Sequence, residues 1–244
     1  PPEEQKKEKR RMLELIAASK PAAVLLCDDE ANEFLSRDLV GAGYKVFTIG
    51  VNRLPELTSW KDLIAANKVA GVFETWPWAK AFEVLDTHFP KRKQFSIFTS
   101  ATGTSDRIIE IMETPGIQAN MRKRGHVLRK IYRLQEWEGW KSALTEANKQ
   151  DDFAWFLIPY GVFDRDNVEV TPDRMIQWFK SNVSIPSIGS SVLDGGVSIS
   201  IGVMAENMAV EVADMVEATL QNRKAFGGTF PTNAYRVQIA SPKP

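Results

Sequence analysis

The sequence contains few of the residues from which disulfides, metal clusters and catalytic centres are built. Among 244 residues there is one cysteine, Cys27, and there are two histidines, His88 and His126. One cysteine excludes an internal disulfide and a cysteine-based metal cluster. The histidines are far apart in the chain, and no Gly-x-Ser-x-Gly motif is present, so nucleophilic catalysis has no support in the residues. We therefore expect no metal, no catalytic residue and no enzymatic activity.

The chain also lacks an excess of charge and a long apolar run. Lys plus Arg and Asp plus Glu both number 31, so no overall field attracts nucleic acid or an anionic membrane. We interpret the densest basic stretch, residues 122–133, as a solvated helix end and strand edge. No run approaches the roughly 20 apolar residues that span a bilayer, and the start, Pro1-Pro2-Glu3-Glu4, does not look like a signal peptide. Small neutral or zwitterionic molecules are the expected partners, and nucleic acid is not.

Short apolar runs alternate with amphipathic stretches along the whole chain. An uninterrupted run such as Ala22–Leu26 is typical of a strand buried on both faces. The predicted strands are 22–26, 45–51, 69–75, 94–99, 127–134, 153–158, 185–189, 197–203 and 235–239. The predicted helices include 3–20, 31–40, 58–66, 78–89, 105–113, 137–149, 172–181 and 205–221, and residues 227–231 are expected to form a loop. This alternation predicts an α/β protein with parallel sheets between helices.

A dinucleotide cofactor is not expected. Gly41-Ala42-Gly43 precedes a predicted strand instead of opening a helix after one, so it cannot serve as the glycine-rich phosphate loop of a Rossmann unit. We expect no cofactor.

Polar residues lie at the ends of the first three predicted strands. In open α/β sheets, ligands bind beyond the carboxyl ends of the strands, where helix N-termini present free N–H groups. Asp28 and Asp29 follow the first strand, Asn52 follows the second, and Glu74 lies at the end of the third. The two aspartates have two interpretations: they accept hydrogen bonds from a ligand ammonium, or they stabilise the first turn of the next helix.

A hydroxyl-rich segment follows the fourth predicted strand and opens a helix. Ser100, Thr102, Thr104 and Ser105 could hold a carboxylate with their hydroxyls and the backbone N–H groups. The alternative is an ordinary capped loop. The segment lacks the lysine of a P-loop, and Asp106 in the first turn would repel a multiply charged phosphate, which argues against a nucleotide.

Aromatic residues also fall at strand ends. Trp76 and Trp78 flank Pro77, and Tyr160 follows the 153–158 strand. One of the two tryptophans could stack on a ligand between two closing walls. The tryptophans at 137, 140, 155 and 178 fall within predicted helices or a strand, and we interpret them as core residues.

Several short stretches occur in an order that resembles a known family. They are Pro2-Glu3-Glu4-Gln5, Lys20–Val24 with Asp28–Ala31, Gly50–Asn52, Val69–Glu74, Glu136–Lys141 and Ile185-Pro186. In this order they resemble the substrate-binding proteins of an uncharacterised ABC-transport group with the type 1 periplasmic-binding fold, and the likeness covers most of the chain.

The resemblance implies two Rossmann-like lobes with parallel sheets and three crossings of the chain between them. The crossings are expected near Trp76-Pro77, near Ser191–Gly196 and near Phe226–Pro231. The first lobe would contain residues 1–76 and 197–226, and the second would contain residues 77–196 and 227–244. The resemblance further implies a first lobe without the family's opening strand, helix and strand, and a shortened C-terminal helix.

The resemblance also implies a function. A protein of this kind is periplasmic or extracellular, with membrane tethering possible, and it closes its lobes around a small organic ligand such as an amino acid or related carboxylate. It then delivers the ligand to the membrane subunits of an ABC transporter. Two alternatives stay open at this point: the ligand-sensing input domain of a membrane receptor, whose partner is a membrane signalling protein, and an α/β enzyme.

Overall fold

The structure is a computed structural model that describes residues 2–74, 76–223, 225–231 and 235–239. The chain divides into two units. One contains Pro1–Thr75 and Met204–Ala234, and the other contains Trp76–Val203 and Tyr235–Pro244. The chain therefore passes between the units after residues 75, 203 and 234. We call them the four-stranded unit and the six-stranded unit, after their sheets.

Strands and helices alternate along most of the chain, as predicted. The strands are β1 (Val24–Cys27), β2 (Val46–Val51), β3 (Val69–Phe73), β4 (Gln94–Thr99), β5 (Val127–Arg133), β6 (Phe153–Phe156), β7 (Ser187–Ser190), β8 (Ile199–Val203), β9 (Gly228–Pro231) and β10 (Tyr235–Ile239). The α-helices are α1 (Pro2–Ser19), α2 (Asp28–Gly41), α3 (Lys61–Ala65), α4 (Trp78–His88), α5 (Gly103–Met112), α6 (Pro115–Lys123), α7 (Trp137–Gln150), α8 (Pro172–Asn182) and α9 (Ala205–Leu220).

The sheet of the four-stranded unit has the order β1-β2-β3-β9, and all its neighbouring strands are parallel. Helices α1, α2 and α9 belong to this unit. The core beside the sheet includes Leu35 and Leu39 of α2, with Val46 and Val69 from the strands, and α1 packs against it. Gly71 permits the close approach of β2 and β3, because a Cβ atom there would lie 2.1 Å from the carbonyl oxygen of Thr48.

The interpretation of the first strand as buried on both faces was wrong. β1 is the edge of its sheet and pairs only with β2 among the described strands. Leu25 is 45% exposed, and Cys27 is also exposed. An apolar run has the same local pattern in a central strand and in an edge strand, since the difference depends on distant pairing partners.

The sheet of the six-stranded unit has the order β10-β8-β7-β6-β4-β5. Every pair is parallel except β10 with β8. Alternation along β6 places Phe153 and Trp155 on one face and Phe156 on the other. On the first face, Phe95 stacks on Phe153 with ring centroids 4.8 Å apart. On the second, Phe156 stacks on Phe179 of α8 at 4.5 Å.

The segment after residue 196 differs from the expectation. The strand 197–203 was expected in the first lobe, but β8 pairs with β7 and β10 in the six-stranded sheet. The passages of the chain lie after residues 203 and 234, instead of within 191–196 and 226–231. Residues 228–231, expected in a loop, form β9 against β3. The expected shortened C-terminal helix falls on residues 240–244, which lie outside the described residues.

None of the helices, as far as they are described, combines the length and the apolar character needed to cross a membrane.

The aromatic packing of the six-stranded unit predicts a large effect of Phe98→Ala. Phe98 is fully buried, and its ring centroid lies 4.9 Å from that of Tyr132 and 5.5 Å from that of Phe156. Removing the ring leaves a cavity, so we expect the free energy of unfolding of this unit to fall by about 3–5 kcal/mol in urea unfolding. Val168→Ala, at a position 58% exposed, is the control and should change it by less than about 0.5 kcal/mol. An equal loss in both variants would contradict this packing.

Candidate functional site

The first candidate surface is the carboxyl edge of the four-stranded sheet. Helix α2 begins at Asp28, directly after β1, and Asp28 has a positive φ of 70°. Its carboxylate accepts a hydrogen bond from the N–H of Asp29 at 2.6 Å. Three acidic residues, Asp28, Asp29 and Glu30, occupy the first turn of α2, where the helix dipole favours negative charge. The structure thus contains the first-turn arrangement that was one of the two interpretations of Asp28 and Asp29.

Asp29 and Asn52 connect the ends of two strands. The Asp29 side chain is buried, and its Oδ2 accepts the backbone N–H of Asn52 at 3.0 Å. The Asn52 side chain donates to the carbonyl oxygen of Gly50 at 3.3 Å. These two hydrogen bonds therefore stabilise the conformation of the sheet edge, and the Asp29 side chain is buried there.

Glu74 is a partly buried acid at this edge whose acidity is altered. It directly follows β3, and its N–H donates to the carbonyl oxygen of Val51 at 2.8 Å. Partial burial, followed by the charges of Asp28 and Asp29, raises the pKa of Glu74 to about 7. Its Oε2 is 3.9 Å from the point where a Cβ atom on Gly50 would lie. Asp28, Gly50 and Glu74 therefore come together, and this edge can present one exposed carboxylate and one carboxyl that titrates near neutral pH.

The described residues contain no group of three or more His, Cys, Asp or Glu side chains arranged to hold a metal ion.

The raised pKa of Glu74 predicts a pH-dependent effect of Glu74→Gln. An acid whose pKa rises on folding favours the folded state most when protonated, so its contribution is lost as the pH increases from about 4.5 to about 7. The Glu74→Gln variant has no ionisable group at this position, so its stability does not decrease for this reason as the pH rises. In urea unfolding at pH 8 we expect it to be more stable than the wild type by on the order of 3 kcal/mol, and at pH 4 the difference should vanish.

Glu56→Gln is the control for that measurement, because Glu56 is exposed. Its stability difference from the wild type should be small at both pH values. A Glu74→Gln variant that is equally stable relative to the wild type at pH 4 and pH 8 would contradict the raised pKa.

The second candidate surface is the carboxyl edge of the six-stranded sheet, where hydroxyl groups form a network. The Thr99 hydroxyl donates to Ser105 Oγ at 2.8 Å and accepts the backbone N–H of Ile158 at 3.3 Å. The hydroxyls of Thr102 and Ser105 lie 3.0 Å apart, and Ser100 Oγ is 3.4 Å from each of these two oxygens. These bonds tie the ends of β4 and β6 to the start of α5.

Thr102 is the N-cap of α5 and accepts the N–H of Ser105 at 3.3 Å. The capped-loop interpretation is therefore realised for Thr102 and Ser105, whose hydroxyls are engaged within the protein. The backbone N–H groups of Gly103 and Thr104, and the Thr104 hydroxyl, make no hydrogen bond to any described residue. These three groups at a helix N-terminus can still donate to an anion.

Tyr160 lies next to this network. It follows β6, and its side chain is 48% exposed. A Cβ atom on the next residue, Gly161, would lie 3.4 Å from Cγ2 of Thr102, so the loop after β6 borders the N-cap of α5. The structure therefore brings Ser100, Thr102, Ser105 and Tyr160 together within one unit.

Ser190 also lies at the carboxyl end of a strand, although it was not among the site residues predicted from the sequence. It ends β7, the strand beside β6, and its hydroxyl is buried without a hydrogen-bond partner among the described residues. The signal was present, since Ser190 and Ser191 lie at the end of a strand just as Thr99 and Ser100 do. Ser190 directly precedes the segment 191–196, where a crossing between lobes was expected.

Trp76 and Trp78 have different surroundings. Trp78 is 1% exposed, and its ring centroid lies 4.8 Å from that of Trp155 in the core of the six-stranded unit. Trp76 is 8% exposed, and the Nε1 atoms of both tryptophans are buried without a partner among the described residues. Because it is the more exposed of the two, Trp76 is the candidate of the pair for a ligand contact. Trp137, Trp140 and Trp155 are buried in the core, as predicted, and Trp178 packs against it.

The two histidines lie away from the carboxyl edge of the six-stranded sheet. His88 ends α4, and His126 directly precedes β5, so both are at the amino edge of the six-stranded sheet. His126 is buried against Phe82, with ring centroids 5.0 Å apart, and burial lowers its pKa. Neither histidine is placed to act on a molecule held at the hydroxyl network.

Comparisons with known proteins identify the fold. No protein-family model matches the chain, and no curated protein matches it. Solved structures, in contrast, match the chain over most of its length. A ligand-free, open substrate-binding protein with adhesive properties from Clostridium difficile matches with a TM-score of 0.65 at 13% identity, over 96% of this chain and 76% of that chain.

Two further structures show the range of proteins with this architecture. An ABC domain in complex with L-Trp from Streptococcus pneumonia matches with a TM-score of 0.58 at 14% identity, over 96% of this chain and 77% of that chain. A protein described as a LacI transcriptional regulator from Bacteroides fragilis matches with a TM-score of 0.58 at 13% identity, over 93% of this chain and 78% of that chain. The chain therefore has the type 1 periplasmic-binding fold, and the fold that the sequence resemblance implied is confirmed.

Proposed function

We propose that this chain is a solute-binding protein that binds a small organic ligand at the carboxyl edges of its two parallel sheets. The observation that carries the proposal is the presence, at both edges, of polar groups that the fold itself leaves available. They are the carboxyl groups of Asp28 and Glu74 on one sheet and the N–H groups opening α5 on the other. The fold, shared with a substrate-binding protein and with a domain crystallised with L-Trp, supports this function.

The two edges favour different parts of a ligand. The start of α5 offers N–H donors and the Thr104 hydroxyl, with the positive end of the helix dipole, and suits a carboxylate. The acidic edge suits an ammonium or a hydroxyl group, and near pH 7 Glu74 can either donate or accept. A molecule with a carboxylate at one end and an ammonium at the other matches both, so we propose an amino acid or a related carboxylate.

Binding would be coupled to movement of the two units at the three passages between them. A ligand that gains contacts from both sheets only in a closed form shifts the population toward that form. In this proposal the protein acts outside the cytoplasm, and the closed form is read by the membrane subunits of an ABC transporter.

A ligand-sensing module of a membrane receptor is the second candidate. The match to a protein described as a LacI transcriptional regulator favours it, because that protein is described by a regulatory role and not by transport. Both candidates require ligand binding without turnover, and an enzyme is not proposed.

The proposed function is tested by a thermal-shift screen of amino acids, sugars and aromatic carboxylates, followed by calorimetry. A ligand at one hundred times its Kd should raise the stability by about 2.7 kcal/mol. The proposal requires saturable binding of at least one compound with about one site per chain, and the compound must be recovered unchanged. Failure of every compound to bind, or its conversion to a product, would contradict it.

Thr104→Val should weaken binding of a carboxylate ligand without loss of fold. The substitution removes a hydroxyl that has no partner among the described residues, so the folded protein loses no internal hydrogen bond. Loss of a hydrogen bond to a charged group should reduce the affinity by about 1.5–3 kcal/mol in calorimetry. Thr145→Val, at an exposed position of α7, is the control and should bind normally. Unchanged affinity in Thr104→Val would remove the start of α5 from the site.

Trp76 should report on ligand binding by fluorescence. Since Trp78 packs against Trp155 and Phe82 and is less exposed than Trp76, Trp76 is expected to be the residue of the pair that contacts the ligand. Ligand should alter the intrinsic emission of the wild type and of Trp78→Phe, and the change should disappear in Trp76→Phe. A change that persists in Trp76→Phe would place the responsive tryptophan elsewhere.

A further inference from the structure

A cavity lies at the amino edge of the six-stranded sheet, at the opposite end of the strands from the hydroxyl network. It has a volume of about 550 Å³. The residues around it come from the ends of α4 and α8 and from the segments that lead into β7 and β8, with the last residue of β10 at its side. Volumes of about 300–1,000 Å³ are typical of sites for small molecules.

The walls of this cavity are mainly apolar. Phe89, Val183, Ile185, Pro186, Val197 and Ile239 supply most of the apolar side chains. Ile239 is 45% exposed, although it ends a strand that is paired with β8. An apolar molecule in the cavity would remove this surface from water, which is favourable by roughly 25 cal/mol per Å².

The backbone N–H groups of the serines in the cavity already have hydrogen-bond partners. The N–H of Ser187 donates to Ser198 Oγ at 3.1 Å, and the N–H of Ser198 donates to Ser187 Oγ at 3.3 Å. The N–H of Ser184 donates to Oδ1 of Asn148 at 3.2 Å. A ligand without polar groups therefore leaves these three N–H groups with the partners they already have.

The charged residues at the cavity do not favour a charged ligand. His88 and Lys180 are its basic residues, and no acidic residue is among the described residues that line it. Each belongs to the last turn of a helix, α4 or α8, where the negative end of the helix dipole offsets a positive charge. The apolar walls therefore determine what the cavity can bind.

We infer that this cavity is a second ligand site, and that it takes an uncharged, largely apolar small molecule. Its occupant differs in chemistry from the zwitterion proposed for the carboxyl edges. The cavity belongs entirely to the six-stranded unit, so the inference does not depend on the proposed function.

The test uses the uncharged probe N-phenyl-1-naphthylamine, whose fluorescence increases in apolar surroundings, with the full chain. We expect saturable binding of one probe per chain. Ile239→Arg places a charge beside the cavity and should reduce the affinity at least tenfold. Leu220→Arg is the matched control, since Leu220 is 42% exposed and lies on α9 of the other unit, and it should bind the probe as the wild type does.

Ser184→Trp is the second variant, because Ile239→Arg could disturb the pairing of β10. Ser184 is exposed and lines the cavity, and its N–H bond to Asn148 survives the substitution. The larger side chain should fill the space and abolish probe binding with an unchanged unfolding midpoint. Thr104→Val should bind the probe normally, which separates this site from the proposed solute site. The inference is overturned by absence of saturable binding, by normal binding in a folded Ser184→Trp variant, or by equal losses in Ile239→Arg and Leu220→Arg.

Discussion

Both sheets depend on hydrogen bonds that continue beyond the ends of their strands. When a parallel ladder stops, the next N–H and C=O groups need other partners, because a buried backbone group without one is destabilising. In the four-stranded unit the buried Asp29 carboxylate supplies the partner for the N–H of Asn52. In the six-stranded unit the Thr99 hydroxyl does the same for Ile158. These links fix the loops that carry Asp28 and the start of α5.

The same links decide which polar groups are available to a ligand. Asp29, Thr102 and Ser105 look like ligand residues in the sequence, yet the structure engages each of them within its own unit. The groups that are left are fewer: the Glu74 carboxyl group, the exposed Asp28 carboxylate beyond its one bond to the N–H of Asp29, the N–H groups of Gly103 and Thr104, and the hydroxyls of Thr104 and Ser190. The proposed ligand chemistry follows from these available groups, which are acidic on one sheet and are hydrogen-bond donors on the other.

Much of the architecture could be predicted from the sequence, because strand–helix alternation is a local signal. Most predicted strands lie within a few residues of those observed, and the buried tryptophans follow from helical and strand periodicity. The sheet to which each strand belongs could not be predicted from these local patterns. β8 has the same apolar pattern whether it pairs with β3 or with β7, and β1 looks like a central strand although Leu25 is exposed. Such differences depend on pairing between distant residues.

The candidate site was predictable in location and less so in detail. Position at the end of a strand selected Asp28, Asn52, Glu74 and Ser100, and all four lie at the carboxyl edges. Position could not tell that Asp29 would be enclosed by its bond to Asn52 or that Ser190 would keep a buried hydroxyl without a partner. Hydrogen-bond geometry of this kind arises only when the ends of neighbouring strands come together.

The most direct test of the account is hydrogen–deuterium exchange of the full chain with and without a ligand found by screening. The account predicts slower exchange at both carboxyl edges, in peptides that cover residues 28–30 and 50–53 of one unit and residues 99–106 of the other. Slower exchange confined to one of these edges, or to the amino edge near Ser187 and Val197, would contradict it.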